Sequence, residues 1–162
     1  MDIQTVALHP NFPQQVWIVI EQPRHAPYRY NYDPVTNAFT ETAYKSLFYD
    51  RGFRGAYGWI GGTGTPPDPH FDVLLLTDQS LQPGDIVLGY ICWVFLRSDG
   101  DHKFVALDSA WRNRVTQVDL AALDADTNAE LRRLYPHIGV NEGWFGATIA
   151  HAYLQQNQPS HA

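Results

Sequence analysis

The segment Phe71–Asp108, FDVLLLTDQSLQPGDIVLGYICWVFLRSDGDHKFVALD, decides the fold. It holds three apolar runs separated by turn residues. "FDVLLLT" gives way to "DQSLQPGD", where Pro83-Gly84 and the acids around it favour a turn. "IVLGYICWVFLRS" has the length of one long strand or two short ones, with a bend expected at Gly89. "SDGD" is a tight-turn signal, and "HKFVALD" is the third run. Short strands this closely spaced suggest a β-barrel rather than a parallel sheet.

The same pattern extends toward the N-terminus. "QQVWIVIEQP" reads as a strand ended by Pro23. "PYRYNYD" alternates Tyr28, Tyr30 and Tyr32 with Arg29 and Asn31, so one face of that strand is aromatic. Those tyrosines are expected in the barrel core. A turn at Asp33–Asn37 precedes another strand, and Gly55–Pro69 is loop interrupted by "AYGWI". After Asp108 the pattern turns helical. Thr127–Tyr135 presents Leu131 and Leu134 on one face, with Thr127 and Glu130 spaced for a capping box and Pro136 as the stop. "NEGWFGATIAHAYLQQN" reads as a closing helix with Phe145, Ile149 and Tyr153 in phase, followed by a frayed "QPSHA". The expectation is one α+β domain over residues 1–162, with a barrel over about 14–108 and a helical part over about 118–157.

Composition bounds the function. Hydrophobic content of 44% against 17% charged argues for a folded globular chain. A net charge of −6 disfavours nucleic acid as partner, since phosphate backbones need clustered Lys and Arg. No apolar run approaches the ~20 residues of a membrane span. A cytoplasmic location is expected: "MDIQTVALHPNF" lacks a basic stretch before an apolar one, and the single cysteine, Cys92, lies within an apolar run.

The chemistry gathers around "TPPDPHFDVLLLT", Thr65–Thr77. Asp68 sits between prolines and Asp72 opens the apolar strand. Such acids are either solvated turn residues or carboxylates at the rim of a metal site. Asp99 and Asp101 in "SDGD" are open to the same two readings, with Lys103 two residues on. His70, beside Asp72, is a candidate ligand that favours Mn²⁺ or Zn²⁺ over Mg²⁺.

In order, the segments "IVIEQP", "YRYNYD", "AYGWI", "DPHFDVLLL", "LQPGDIV" and "SDGDHKFVAL" resemble the soluble, family I type inorganic pyrophosphatases over roughly Trp17–Leu107. Tyr135 and "EGW" at Glu142–Trp144 are weaker matches further on. The resemblance implies a small twisted five-stranded OB-like barrel with flanking helices, the main ones C-terminal. It also implies several Mg²⁺ ions between carboxylates and pyrophosphate, and a homo-oligomer. Cations must screen a substrate so dense in negative charge from an attacking hydroxide, and metal-bound water ionises near neutral pH. By position, the resemblance implies Glu21, Asp72, Asp99 and Asp101 as metal ligands. Arg29, Lys45, Lys103 and Tyr135 are implied as substrate-binding groups, and Tyr57 and Asp68 as catalytic residues.

The departures are chemical. Asn31 stands where the family has a glutamate, Phe53 near a family tyrosine, and Pro136 in place of a lysine. Arg29 and Lys45 exchange lysine for arginine and the reverse. The D-x-D-P-x-D signature is broken. Counted without a gap from Tyr57-Gly58, its first two aspartates fall on Pro67 and Pro69, while a one-residue insertion lets Asp68-Pro69 match its central pair. Either way at least one of its carboxylates is gone. Three functions follow from the resemblance: a weakened metal-dependent pyrophosphatase, an inactive homologue that binds or supports, or a hydrolase of another phosphate compound.

Overall fold

A computed structural model describes residues 1–158, so the expectation for the C-terminal "QPSHA" falls almost wholly outside the described residues. The strands are β1 (Gln15–Gln22), β2 (Tyr28–Asp33), β3 (Ala38–Lys45), β4 (Ala56–Ile60), β5 (Asp72–Leu76), β6 (Ile86–Leu96), β7 (Lys103–Leu107) and β8 (Gly143–Gly146). The α-helices are α1 (Leu47–Asp50), α2 (Ser109–Arg112), α3 (Ala125–Leu134) and α4 (Ala147–Gln156), with a 3-10 turn at Leu120–Ala122. No helix of the described residues is long and apolar enough to cross a membrane.

The order β1-β4-β5-β7-β6 closes on itself because β6 also pairs with β1, giving a five-stranded barrel. Closure removes sheet edges that would otherwise be open to pairing. Every pair in the ring is antiparallel except β5–β7, which is parallel. The first half of β6 pairs with β1 and its second half with β8. A register shift between Ile91 and Trp93 marks the change. This irregularity, rather than the expected bend at Gly89, re-aims the strand. Ile91 and Val94 join one core cluster, whereas Cys92 and Trp93 join the other.

The first cluster gathers one face of all five barrel strands, including Ile18, Ile20, Ile60, Val73, Leu75 and Phe104, with Ala150 and Leu154 of α4. The second lies on the opposite face, where Leu74, Leu76, Val105 and Leu107 meet Leu131 and Leu134 of α3. Both faces of β5 and β7 are therefore covered, which explains their unbroken apolar runs.

Three expectations are corrected. The β2–β3 hairpin forms its own sheet, so Tyr28, Tyr30 and Tyr32 are outside the barrel core, and Tyr28 is exposed. The cap of α3 is Asp124, which accepts from the Thr127 N–H, and the Glu130 carboxylate is taken by Arg54. Phe145 belongs to β8 rather than to the closing helix, and Ala147, Ala150 and Leu154 form the buried face of α4. Flanking glycines at 143 and 146 give the sequence little helical signal there.

Candidate active site

Strand register lays the floor of the site. Trp59 lies opposite Asp72 across β4–β5, and Asp72 lies beside Lys103 across β5–β7. Lys103 then faces Phe95 across β7–β6, and Phe95 faces Trp144 across β6–β8. Side chains in register share a face. One acid–base pair therefore sits in a row of aromatic residues, and both of its members are buried.

Lys103 Nζ donates to Asp72 Oδ2 at 2.6 Å and to Asp101 Oδ1 at 2.8 Å, and lies 3.5 Å from the Tyr57 hydroxyl. Asp72 Oδ1 is 2.9 Å from His70 Nε2, while His70 Nδ1 is 2.7 Å from the Asp68 carbonyl oxygen. Both imidazole nitrogens thus face acceptors, which calls for two N–H donors and a charged ring. Burial opposes that charge, but the bonds to Asp72 and to the Asp68 carbonyl outweigh it, so the His70 pKa is raised. Burial would likewise raise Asp72, yet His70 and Lys103 hold it well below the usual carboxylate range.

Beside this floor opens a pocket of about 240 Å³ lined by Glu21, Arg29, Lys45, Tyr57, Arg97, Lys103 and Tyr135, among others. Local irregularities aim several of these groups. Glu21 falls at the register shift between Ile20 and Gln22 of β1, and Arg29 at the shift between Tyr28 and Tyr30 of β2. The buried Gln22 holds the hairpin to the barrel. Its Nε2 donates to the carbonyls of Ala26 and Tyr28, and its Oε1 accepts from the Tyr30 N–H. Lys45 ends β3, just before Ser46 caps α1.

Arg97 reaches Asp99 at 3.0 Å and Asp101 at 3.9 Å, and its guanidinium lies 5.7 Å from the Tyr135 ring centroid. Tyr135 in turn stacks on Phe95. Burial raises the pKa of Tyr57 and of Tyr135, so each remains a hydroxyl donor at neutral pH. Glu21 is pushed up to about 7, first by burial and then by the Asp72 charge, and no hydrogen bond among the described residues reaches its carboxylate.

The structure thus brings Glu21, Arg29, Lys45, Tyr57, Lys103 and Tyr135 to one pocket. Asp72 and Asp101 meet it through Lys103, and Asp99 through Arg97. Asp68 stands elsewhere: it is exposed and lines a separate depression with residues of the 3–8 segment. Sequence reasoning missed Gln22 and Arg97. The signals were present, a polar residue inside a buried strand for Gln22 and the 97/99/101 spacing for Arg97.

The several Mg²⁺ ions implied by the resemblance need carboxylates converging with free oxygens. Among the described residues no three His, Cys, Asp or Glu side chains are so grouped. Both Asp72 oxygens are engaged, Asp101 and Asp99 pair with Lys103 and Arg97, and His70 has no lone pair left for Mn²⁺ or Zn²⁺. Cations of the chain already pair with the three aspartates, and Glu21 alone leaves too few free oxygens for a multi-metal site.

Sequence comparison finds no matching family model and no matching curated protein. Solved structures do match. An inorganic pyrophosphatase from Neisseria gonorrhoeae has a TM-score of 0.74 at 21% identity, covering 96% of each chain. One from Thermus thermophilus has a TM-score of 0.73 at 19% identity, covering 96% of this chain and 95% of that one. One from Ehrlichia chaffeensis has a TM-score of 0.71 at 20% identity, covering 94% and 98%. The chain has the fold of the family I type inorganic pyrophosphatases.

Proposed function

We propose that this protein binds inorganic pyrophosphate in the pocket between the barrel and the β2–β3 hairpin, and hydrolyses it. The convergence of Arg29, Lys45, Arg97 and Lys103 with Tyr57 and Tyr135 around one cavity carries the reading. Arg29 and Lys45, which make no ion pair among the described residues, bring free positive charge to a phosphoanhydride, and Arg97 and Lys103 share theirs with Asp99, Asp101 and Asp72. The arginines offer planar forks to phosphate oxygens and the lysines offer point charges. The half-buried tyrosine hydroxyls donate to oxygens that gain charge as the reaction proceeds.

Glu21 is the proton acceptor in this reading. A carboxylate that titrates at about 7 is matched to general base work near neutral pH. Water adds to one phosphorus and the bridging P–O bond breaks. The water proton goes to Glu21, and the leaving orthophosphate is held by the cations. The reaction runs on the chain's own groups, and its turnover is expected to be low.

A second reading, a pyrophosphate-binding protein without turnover, is favoured by the position of Asp68 outside the pocket. One experiment separates them. Phosphate release is followed with Mg²⁺, with Mn²⁺ and with chelator, alongside calorimetric binding of pyrophosphate. Release that disappears in Glu21→Gln while binding persists supports hydrolysis. Binding without release under all three conditions leaves the second reading, and no binding by the folded protein rejects both.

A further inference from the structure

The cations that occupy the Asp72, Asp99 and Asp101 carboxylates lead beyond the reaction class. Lys103 Nζ lies between two aspartates, 2.6 Å from one and 2.8 Å from the other, a position in which carboxylates commonly hold a metal ion. It is buried there by the strand row, between Asp72 on one neighbouring strand and Phe95 on the other. His70 closes the remaining oxygen of Asp72, and Arg97 lies across Asp99 and Asp101. The side facing the pocket is the reverse of a metal cage. Among the described residues four cations line it, and its one lining carboxylate is Glu21. A site that recruits divalent ions presents an excess of acid to the substrate. This one presents an excess of base.

We propose that this pocket binds pyrophosphate without divalent metal, with Lys103 as the resident cation between Asp72 and Asp101 and Arg97 as its companion at the pocket wall. The inference rests on the pyrophosphate reading above and adds what screens the anion. A fixed ammonium has a consequence that a diffusible ion lacks. It is present at any metal concentration, and its charge is already oriented by Asp72 and Asp101. Tyr57, 3.5 Å from the same Nζ, extends the polar wall with a hydroxyl.

The test is calorimetric binding of pyrophosphate to the full chain in chelator and in excess Mg²⁺ or Mn²⁺, with Mn²⁺ titrated alone in a separate cell. The expected result is a pyrophosphate Kd that agrees within about threefold between chelator and metal, and no Mn²⁺ binding to the wild type. Lys103→Met should weaken binding in chelator by tenfold or more, and the freed Asp72 and Asp101 should then take up Mn²⁺. Arg97→Gln, on the pocket wall, provides a second variant if Lys103→Met does not fold, and it should lose affinity in chelator and in Mg²⁺ alike. Pyrophosphate binding seen only with divalent metal overturns this inference and leaves the pyrophosphate reading standing. So does Mn²⁺ binding to the wild type that Asp72→Asn abolishes. Absence of pyrophosphate binding under every condition overturns both.

Discussion

At the scale of single residues, two carboxylates 51 positions apart in sequence carry opposite signs of linkage to pH. Glu21 keeps its proton up to about 7 in the fold but releases it near 4.5 in the unfolded chain. The folded state binds more protons between those values, so stability falls as pH rises through that window and stays lowered above it. Glu21→Gln removes this penalty. Thermal unfolding should show the variant more stable than wild type at pH 8, by on the order of 2 kcal/mol, and indistinguishable at pH 4. Asp72 behaves in the other direction. Its depressed pKa adds stability above the usual carboxylate range and is lost as acid protonates it. Asp72→Asn leaves the buried Lys103 with the exposed Asp101 as its remaining carboxylate. Urea titration at pH 7 should register a loss of roughly 2–4 kcal/mol, because one member of a buried pair is stranded.

At the scale of elements, the hairpin and the last helix each depend on one side chain from outside the element. Gln22 of β1 makes three hydrogen bonds to the backbone at Ala26, Tyr28 and Tyr30. Gln22→Ala should cost about 1–3 kcal/mol by leaving part-buried backbone groups unpaired. Under the proposed function it should also raise the KM for pyrophosphate more than it lowers kcat, since Arg29 and Lys45 sit on the released hairpin. Helix α4 is preceded by Gly146 as its N-cap, which offers no side-chain bond, and Asp119 supplies one instead by accepting from the Ala147 and Leu120 N–H groups. Asp119→Ala should destabilise the protein by ~1 kcal/mol and speed amide exchange in the first turn of α4.

These dependences also mark how far the sequence could be read. The barrel strands were legible because Val73–Leu76 and Phe104–Leu107 are continuous apolar runs bounded by turns. The pocket members Glu21, Arg29, Lys45, Tyr57, Lys103 and Tyr135 were reached through the order of motifs. Other features depend on pairing partners that no local pattern encodes. The tyrosines of β2 alternate as a buried strand does, yet their partner is β3 rather than the barrel. Gly143–Gly146 becomes a strand only because the second half of β6 is there to receive it. Asp124 caps α3 in competition with Thr127, which offers an equally good local signal.

At the scale of the whole molecule, an acidic chain of net charge −6 presents a cationic pocket. The overall field repels a polyanion while the pocket attracts it, so affinity depends on short-range charge that salt screens. The pyrophosphate Kd should rise severalfold between low and physiological ionic strength, with the smaller effect on the variant that lacks Arg97, which has one screened contact fewer. The two apolar clusters share β5 and β7, whose residues alternate between them. Neither cluster can loosen without exposing the back of the other. Calorimetry should therefore give one transition with equal calorimetric and van't Hoff enthalpies.

The parallel pairing of β5 with β7 also sets an order of events in time. Asp72 and Lys103 are 31 residues apart, and although β5 and β7 are direct neighbours in the sheet, the chain runs through β6 to connect them. Ring closure through β1 and β6 joins positions still further apart, Gln15 to Tyr90. Loop-closure entropy makes such distant pairings slow relative to local hairpins. The pocket lined by Arg29, Lys45, Arg97 and Lys103 is consequently a late product of refolding. In stopped-flow experiments the burial of tryptophan should precede recovery of the proposed pyrophosphate binding, and a chain caught between the two would be compact yet without its pocket.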